Sequence, residues 1–151
     1  MSFADSKSSH RAIESLIAAY AELVDDGDFE GVGDLLAHAT FTGDAGSVSG
    51  RDAIEKMLRE NVMVYEDGTP RTKHLITNLA IEVDEESGTA VSRSYFTALQ
   101  ALPDLGLQPI VSGRYYDRFE RREGRWRFLE RRVRTDLIGD MSRHRRRLAA
   151  D

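Results

Sequence analysis

The residues of this sequence best suited to chemistry are a carboxylate and an imidazole that lie far apart in the chain. Asp25 ends the run Tyr20-Ala-Glu-Leu-Val-Asp25, and His74 stands in the run Thr72-Lys-His-Leu-Ile-Thr-Asn78. A carboxylate that bonds to one ring nitrogen fixes the imidazole tautomer and raises the basicity of the other nitrogen. Such a base can remove a proton next to a carbonyl group, and loss of hydroxide from the neighbouring carbon completes an elimination.

Each of these residues also has a simpler interpretation. Asp25 competes with Asp26 and Asp28, and by helical phase it lies roughly 100° beyond the core-facing Val24. It could therefore be a solvated acid at a helix end. His74 could be a partly exposed strand residue without a chemical role.

Tyr20 is another candidate, because it lies near the centre of the apolar stripe of the first helix. It is expected to be buried, and a buried phenol usually finds a hydrogen-bond partner. The hydroxyl could donate to a leaving oxygen or an enolate, or it could bond to the backbone within an ordinary core. The residue pattern leaves both alternatives open.

Composition limits the classes of function. At 151 residues the chain has room for one domain, which we place over 1–151, and the net charge of -5 argues against nucleic-acid binding. The basic tail at 143–147 is expected to be solvated or to form an oligomer contact. Without cysteine, and without metal-ligand spacing among the four histidines, no metal or cofactor is expected. No apolar run is long enough to span a membrane and no signal pattern is visible, so a cytoplasmic location is expected.

Three helices are predicted in the first half of the chain. Ser8 or Ser9 can cap a helix that begins near residue 10, and the Asp26-Gly-Asp28 run ends it. Asp28 can cap the second helix. The second and third helices are placed at 29–37 and 52–64, with a brief strand at 40–44 and a turn-rich segment at 45–50.

From Arg71 the apolar period changes from 3.6 towards 2, which predicts four antiparallel strands. They are placed at 73–83, 89–102, 110–121 and 125–135, with tight turns at 84–88 and 122–124 and a loop at 103–109. Helices followed by an antiparallel meander predict an α+β fold, in which a curved sheet encloses the helices. One side of the first long strand is expected to carry Leu75, Leu79, Ile81 and Val83.

The last strand is expected to change character along one face. If no bulge intervenes, the residues on that face are Trp126, Phe128, Glu130, Arg132 and Arg134. A strand face that begins apolar and ends charged would fit an apolar core at one end and a polar pocket entrance at the other. The other arginines of this region, including Arg131, are expected to be solvated or paired with nearby glutamates.

Five segments resemble the SnoaL-like branch of the nuclear-transport-factor-2-like superfamily. They are residues 12–29, Gly50-Arg-Asp-Ala-Ile54, His74-Leu-Ile-Thr-Asn78, Tyr115-Tyr-Asp-Arg-Phe119 and residues 124–133. The resemblance spans nearly the whole chain and implies a cone-shaped roll of N-terminal helices in a strongly curved antiparallel sheet around a pocket. It says less about function, because this fold hosts dehydratases, isomerases, cyclases, a dehydrochlorinase and non-catalytic binders.

Within the superfamily the chain is most similar to scytalone dehydratase, bile-acid 7α-dehydratase and hexachlorocyclohexane dehydrochlorinase. Their shared pattern of an aspartate after the first helix and a histidine on the first long strand is matched by Asp25 and His74. The bile-acid family has a tyrosine that Tyr20 matches, and a late arginine that Arg134 matches with a one-residue gap, so Arg132 is an alternative. The dehydrochlorinase has a lysine at the position of Tyr20, and the second histidine of scytalone dehydratase has no counterpart that the sequence reveals.

The resemblance therefore implies a cofactor-independent lyase or isomerase that acts on an apolar, polycyclic or aromatic small molecule. His74 would be the base, Asp25 its orienting partner, and Tyr20 and Arg134 the electrophilic helpers. The alternatives are a non-catalytic binding protein of the same fold and a relative of the structural β-subunit of aromatic-ring dioxygenases. A homodimer or homotrimer is expected, because relatives of this fold commonly associate through the outer face of the sheet.

Overall fold

The computed structural model describes the backbone of residues 3–146 and the side chains of residues 7–146. Three helices are followed by a long meander of strands. The helices are α1 (Phe3–Asp25), α2 (Phe29–Leu35) and α3 (Arg51–Asn61), and the strands are β1 (Thr40–Gly43), β2 (Gly46–Ser49), β3 (Thr72–Asp84), β4 (Thr89–Leu102), β5 (Leu105–Arg122) and β6 (Arg125–Ile138).

The six strands form one curved, unclosed sheet in the order β2-β1-β6-β5-β4-β3. All neighbours are antiparallel except β1 and β6, which run parallel. Helix α1 lies against the inner face, and apolar side chains from both elements form the core. The core includes Ile13, Ile17, Val24, Phe96, Phe119 and Phe128. The predicted α+β fold is confirmed.

Several predicted boundaries were wrong for local reasons. Helix α1 begins at Phe3, so Ser8 and Ser9 lie within it rather than capping it. The Ser9 hydroxyl accepts a hydrogen bond from Trp126 Nε1 at 3.1 Å. The turn-rich segment at 45–50 contains β2, and β5 begins at Leu105 in the segment predicted as a loop. Asp28 does cap α2, since its side chain accepts from the Gly31 N–H at 2.9 Å.

A bulge in β3 changes which side chains face the core. The register with β4 shifts between Thr77 and Ala80, where Asn78 has a φ of 53°. Before the bulge Thr72, His74 and Ile76 face inward, and after it Ile81 and Val83 do. The prediction was therefore wrong for Leu75 and Leu79, which are exposed on the outer side.

A second bulge, in β6, overturns the predicted face of that strand. Phe119 pairs with Phe128, but Arg118 pairs with Glu130, so Leu129 is an extra residue. An extra residue reverses the alternation of side chains beyond it. Arg131 consequently points inward and is fully buried, whereas Arg132 and Arg134 lie on the exposed side.

The basic tail is also more ordered than predicted. The N–H groups of Met63 and Arg146 donate to the carbonyl oxygens of His144 and Asn61, at 2.8 and 2.9 Å. The tail from Arg143 to Arg146 thus docks at the end of α3 instead of being a solvated extension. Arg147 lies outside the described residues.

Candidate active site

Asp25 is positioned by the end of α1. The helical hydrogen bonds continue past it, since the Asp26 N–H donates to the Glu22 carbonyl at 2.9 Å. Gly27 then reverses the chain with a φ of 75°. The carboxylate of this last helical residue reaches across to the start of β3.

Asp25 makes three hydrogen bonds there. Its Oδ1 lies 2.6 Å from His74 Nδ1 and accepts from the Thr72 hydroxyl at 2.8 Å. Its Oδ2 accepts from the His74 backbone N–H at 2.8 Å. The side chains of Asp25 and His74 are only 8% and 10% exposed. The carboxylate therefore fixes both the backbone and the ring of His74.

The ionisation of Asp25 sets the tautomer of His74. Burial alone would raise the pKa of the Asp25 carboxyl, but the hydrogen bonds and charge of His74 and the Thr72 hydroxyl outweigh burial and hold that pKa below its usual value. A carboxylate can only accept hydrogen bonds, so His74 Nδ1 carries the hydrogen. The other nitrogen, Nε2, is then left with the lone pair of a base.

Tyr20 lies one and a half turns before Asp25, in an aromatic cluster with a buried cation. Its ring is 6.0 Å from that of Tyr115, edge to face. The Arg131 guanidinium lies 3.8 Å from the centre of the Tyr115 ring and 4.3 Å from that of Tyr20. Arg131 is held by Asp117 through two hydrogen bonds of 2.8 and 2.9 Å, and both side chains are 0% exposed.

This cluster has fixed protonation states. Burial raises the pKa of Tyr20 and, more strongly, that of Tyr115, so both phenols keep their protons. Burial would lower the pKa of Arg131, but the Asp117 carboxylate reverses the effect and keeps the guanidinium charged. The cluster thus offers neutral O–H groups and one buried positive charge.

The two arginines favoured from the sequence lie elsewhere. The Arg134 side chain is 61% exposed and pairs with Asp136 at 2.9 Å. Arg132 is exposed, and its guanidinium lies 6.0 Å from the Tyr116 ring. Arg134 and its alternative Arg132, predicted as electrophilic helpers, lie on the exposed side of β6, because the bulge turns Arg131 inward instead.

The interior beside the sheet contains several polar groups without partners in the described part of the chain. The buried atoms Ser94 Oγ, Gln100 Oε1, Arg131 Nη1 and His144 Nδ1 have no hydrogen-bond partner among the described residues. Buried polar groups are normally paired, so unpaired ones call for an explanation. A ligand with oxygen atoms bound there would give these groups partners.

Two clefts lie away from the Asp25–His74 pair. One, of about 260 Å³, opens on the outer face of the sheet beside Glu82, Arg93 and Arg132. The other, of about 750 Å³, lies beside Ser9 and Trp126. Among residues 7–146 no group of three or more histidines and acids is arranged to hold a metal ion. No helix of the described chain is long and apolar enough to cross a membrane.

Sequence reasoning missed three residues of this region. Thr72 stands within a motif that was recognised, but its hydroxyl bond to Asp25 was not foreseen. Asp117 alternates with Tyr115 and Phe119 along β5, and an acid on an aromatic face signals a buried cation partner. His144 carried no signal, because it lies within a run of arginines.

Comparison with known proteins agrees with this architecture. The family model described as a SnoaL-like domain matches residues 6–132. A variant of Rv3472 from Mycobacterium tuberculosis, a protein of unknown function, is 28% identical with a TM-score of 0.74, covering 91% of this chain and 78% of that one. No protein of curated function matches the chain.

Two further solved structures share the fold. LinA is 24% identical with a TM-score of 0.73, covering 92% of this chain and 93% of that chain. A protein from Novosphingobium aromaticivorans, provisionally named a scytalone dehydratase, is 24% identical with a TM-score of 0.71, covering 89% of each chain. At these identities the likeness is one of fold.

Proposed function

This chain belongs to the SnoaL-like domain family, and on that premise we propose that it is a cofactor-independent lyase that removes water from a small apolar hydroxy-carbonyl compound. The observation that carries the proposal is the 2.6 Å contact between Asp25 Oδ1 and His74 Nδ1, in which both side chains are about nine-tenths buried. A shielded carboxylate–imidazole pair suits general-base chemistry, because the carboxylate orients the ring and leaves one nitrogen free to take a proton.

In this mechanism His74 Nε2 takes the proton from the carbon next to the carbonyl group. The electrons of the broken C–H bond form the new C=C bond, and the C–O bond to the hydroxyl group breaks. The leaving hydroxide takes up the proton from the His74 imidazolium and departs as water. Asp25 stabilises the imidazolium in the interval, which its depressed pKa permits because the carboxylate stays ionised.

The carbonyl oxygen gains negative charge as the proton leaves, and a buried cation stabilises such charge. We assign this role to Arg131, whose Nη1 is buried without a partner in the described chain. Tyr20 lies against the same guanidinium and can donate its O–H group to the same oxygen. Arg131 thus takes the role that the sequence assigned to Arg134.

A bicyclic probe tests the proposal. Dehydration of 3-hydroxy-1-tetralone yields 1-naphthol, whose absorbance can be followed directly. We expect turnover by the wild-type chain and a loss of about 10²–10⁴-fold in rate for His74→Ala, the usual contribution of a general base. Asp25 keeps its bonds to the Thr72 hydroxyl and to the backbone N–H of residue 74 in this variant, and circular dichroism should show that it is folded.

The exposed His38 provides a matched control, and His38→Gln should retain the full rate. Equal rates for His74→Ala and the wild type would overturn the role of His74. Binding of the probe without turnover by the wild type would instead favour a non-catalytic binding protein, the alternative that the fold also allows.

A further inference from the structure

The C-terminal segment, residues 139–146, is held against the open end of the sheet by contacts to several elements. The Gly139 N–H donates to the Ile110 carbonyl at 2.8 Å, and Gln100 Nε2 donates to the Arg143 carbonyl at 3.0 Å. That carbonyl also accepts from the Tyr65 hydroxyl. Arg143 pairs with Asp104 at 2.8 Å. The segment is therefore attached to the sheet by several specific hydrogen bonds and an ion pair.

These anchors bring His144 close to the Asp25–His74 pair. Gln100, which holds the preceding residue, is the β4 partner of Thr72, and the Thr72 hydroxyl donates to Asp25. His144 therefore directly follows a residue that is anchored beside the Asp25–His74 pair, and its own side chain is partly buried.

The ring of His144 is neutral, and one of its nitrogens lacks a hydrogen-bond partner in the described chain. Its Nδ1 is buried and has no hydrogen-bond partner among residues 7–146. Burial, followed by the positive charge of His74, lowers the pKa of His144 to about 4. His144 is therefore uncharged near neutral pH and can bind a neutral polar group.

His144 and Arg131 act from different sides of Asp25. Arg131 lies on β6, whereas the carbonyl of Arg143, next to His144, accepts from Gln100 on β4, opposite Thr72. Tyr20 lies under Arg131, whereas His144 lies beside Arg145 at the end of α3. If Arg131 receives the carbonyl oxygen, the group nearest His144 is the hydroxyl on the neighbouring carbon.

We propose that His144 is a further substrate-binding residue, whose Nδ1 holds the hydroxyl group of the hydroxy-carbonyl compound at the Asp25–His74 site. The inference rests on the proposed function, because it takes the substrate class from there. His144 itself gains and loses no proton during the elimination.

Two non-reacting probes test the inference without any turnover. 2-Tetralol carries the hydroxyl group alone, and 1-tetralone carries the carbonyl group alone. By calorimetry, His144→Phe should bind 2-tetralol about fivefold to tenfold more weakly than the wild type, which corresponds to one lost hydrogen bond. Its affinity for 1-tetralone should be unchanged. His144→Asn, whose amide can stand near the position of Nδ1, should recover most of the loss.

The exposed His38 again supplies the control, and His38→Phe should bind both probes like the wild type. A structural role of His144 would weaken both probes equally, and that result would overturn the proposal. Loss of 1-tetralone binding alone, or no binding of either probe by the wild type, would overturn it as well. If the wild type did not dehydrate 3-hydroxy-1-tetralone but His144→Phe still weakened 2-tetralol binding alone, the result would count against the lyase function and not against the role of His144.

Discussion

Arg131 and Asp117 form an ion pair that water does not reach. Both side chains are 0% exposed, and the guanidinium lies against the rings of Tyr20 and Tyr115. Removal of one member leaves the other charge buried and uncompensated, which costs about 3–5 kcal/mol. We expect Arg131→Met to lose that much free energy of unfolding in urea denaturation.

Two comparisons sharpen this prediction. Arg134→Met, at an exposed position, should change stability by less than about 0.5 kcal/mol. The double variant Arg131→Met with Asp117→Leu should recover a large part of the loss, since no isolated charge remains. Equal stability of Arg131→Met and Arg134→Met would contradict the buried pair.

At this scale the sequence predicted that Asp25 would be the partner of His74, and the two side chains are in contact. Asp25 and His74 were selected through the resemblance, because helical phase alone directs Asp25 away from the core. Arg131 could not be predicted, because one extra residue at Leu129 decides whether it points inward. His144 was hidden because only the folded tail brings it near β4.

The bulge in β3 sets the orientation of His74 relative to the rest of its strand. Asn78 adopts a φ of 53°, in the left-handed region that glycine and asparagine tolerate and β-branched residues resist. The side chain of Asn78 is exposed, so a substitution there tests the backbone rather than packing.

We expect Asn78→Val to be about 1–2 kcal/mol less stable than Asn78→Gly in urea denaturation, the usual cost of a left-handed conformation for such a residue. Thr77→Val is the control. Residue 77 is exposed but does not have a left-handed conformation, so this variant should not show the same loss of stability. If the valine and glycine variants at residue 78 were equally stable, the bulge would have to lie elsewhere.

Elements were predicted well where apolar periodicity was long and regular. Strand β4 was placed at its observed bounds, because alternation continues along its whole length. Strand β2 was missed because Gly46, Ser47 and Ser49 are residue types common in turns, and the segment is a strand because it pairs with β1. Apolar periodicity does not reveal a bulge. For this reason the residues predicted to share one face of β3, and those predicted to share one face of β6, were partly wrong.

The edge of β6 beyond the short strand β1 is exposed in the sheet. β1 pairs with β6 only at Glu130, Arg131 and Arg132, so along the described chain the outer edge of β6 has no strand partner beyond that point. Leu137 and Ile138, at the end of this edge, are 69% and 73% exposed. An apolar strand edge without a partner favours association with another chain.

A second copy of the chain is the occupant we expect at this edge, as a homodimer or homotrimer, although the sequence prediction placed the association at the outer face of the sheet. Sedimentation velocity should give a mass above that of one chain, and the double variant Leu137→Lys with Ile138→Lys should shift it to the monomer, because lysines oppose pairing at a strand edge. Leu75→Lys, on β3 at the far side of the sheet, should leave the assembly intact. A wild-type monomer at every concentration would refute the association, and an assembly that dissociates only with Leu75→Lys would move it to the outer face of the sheet.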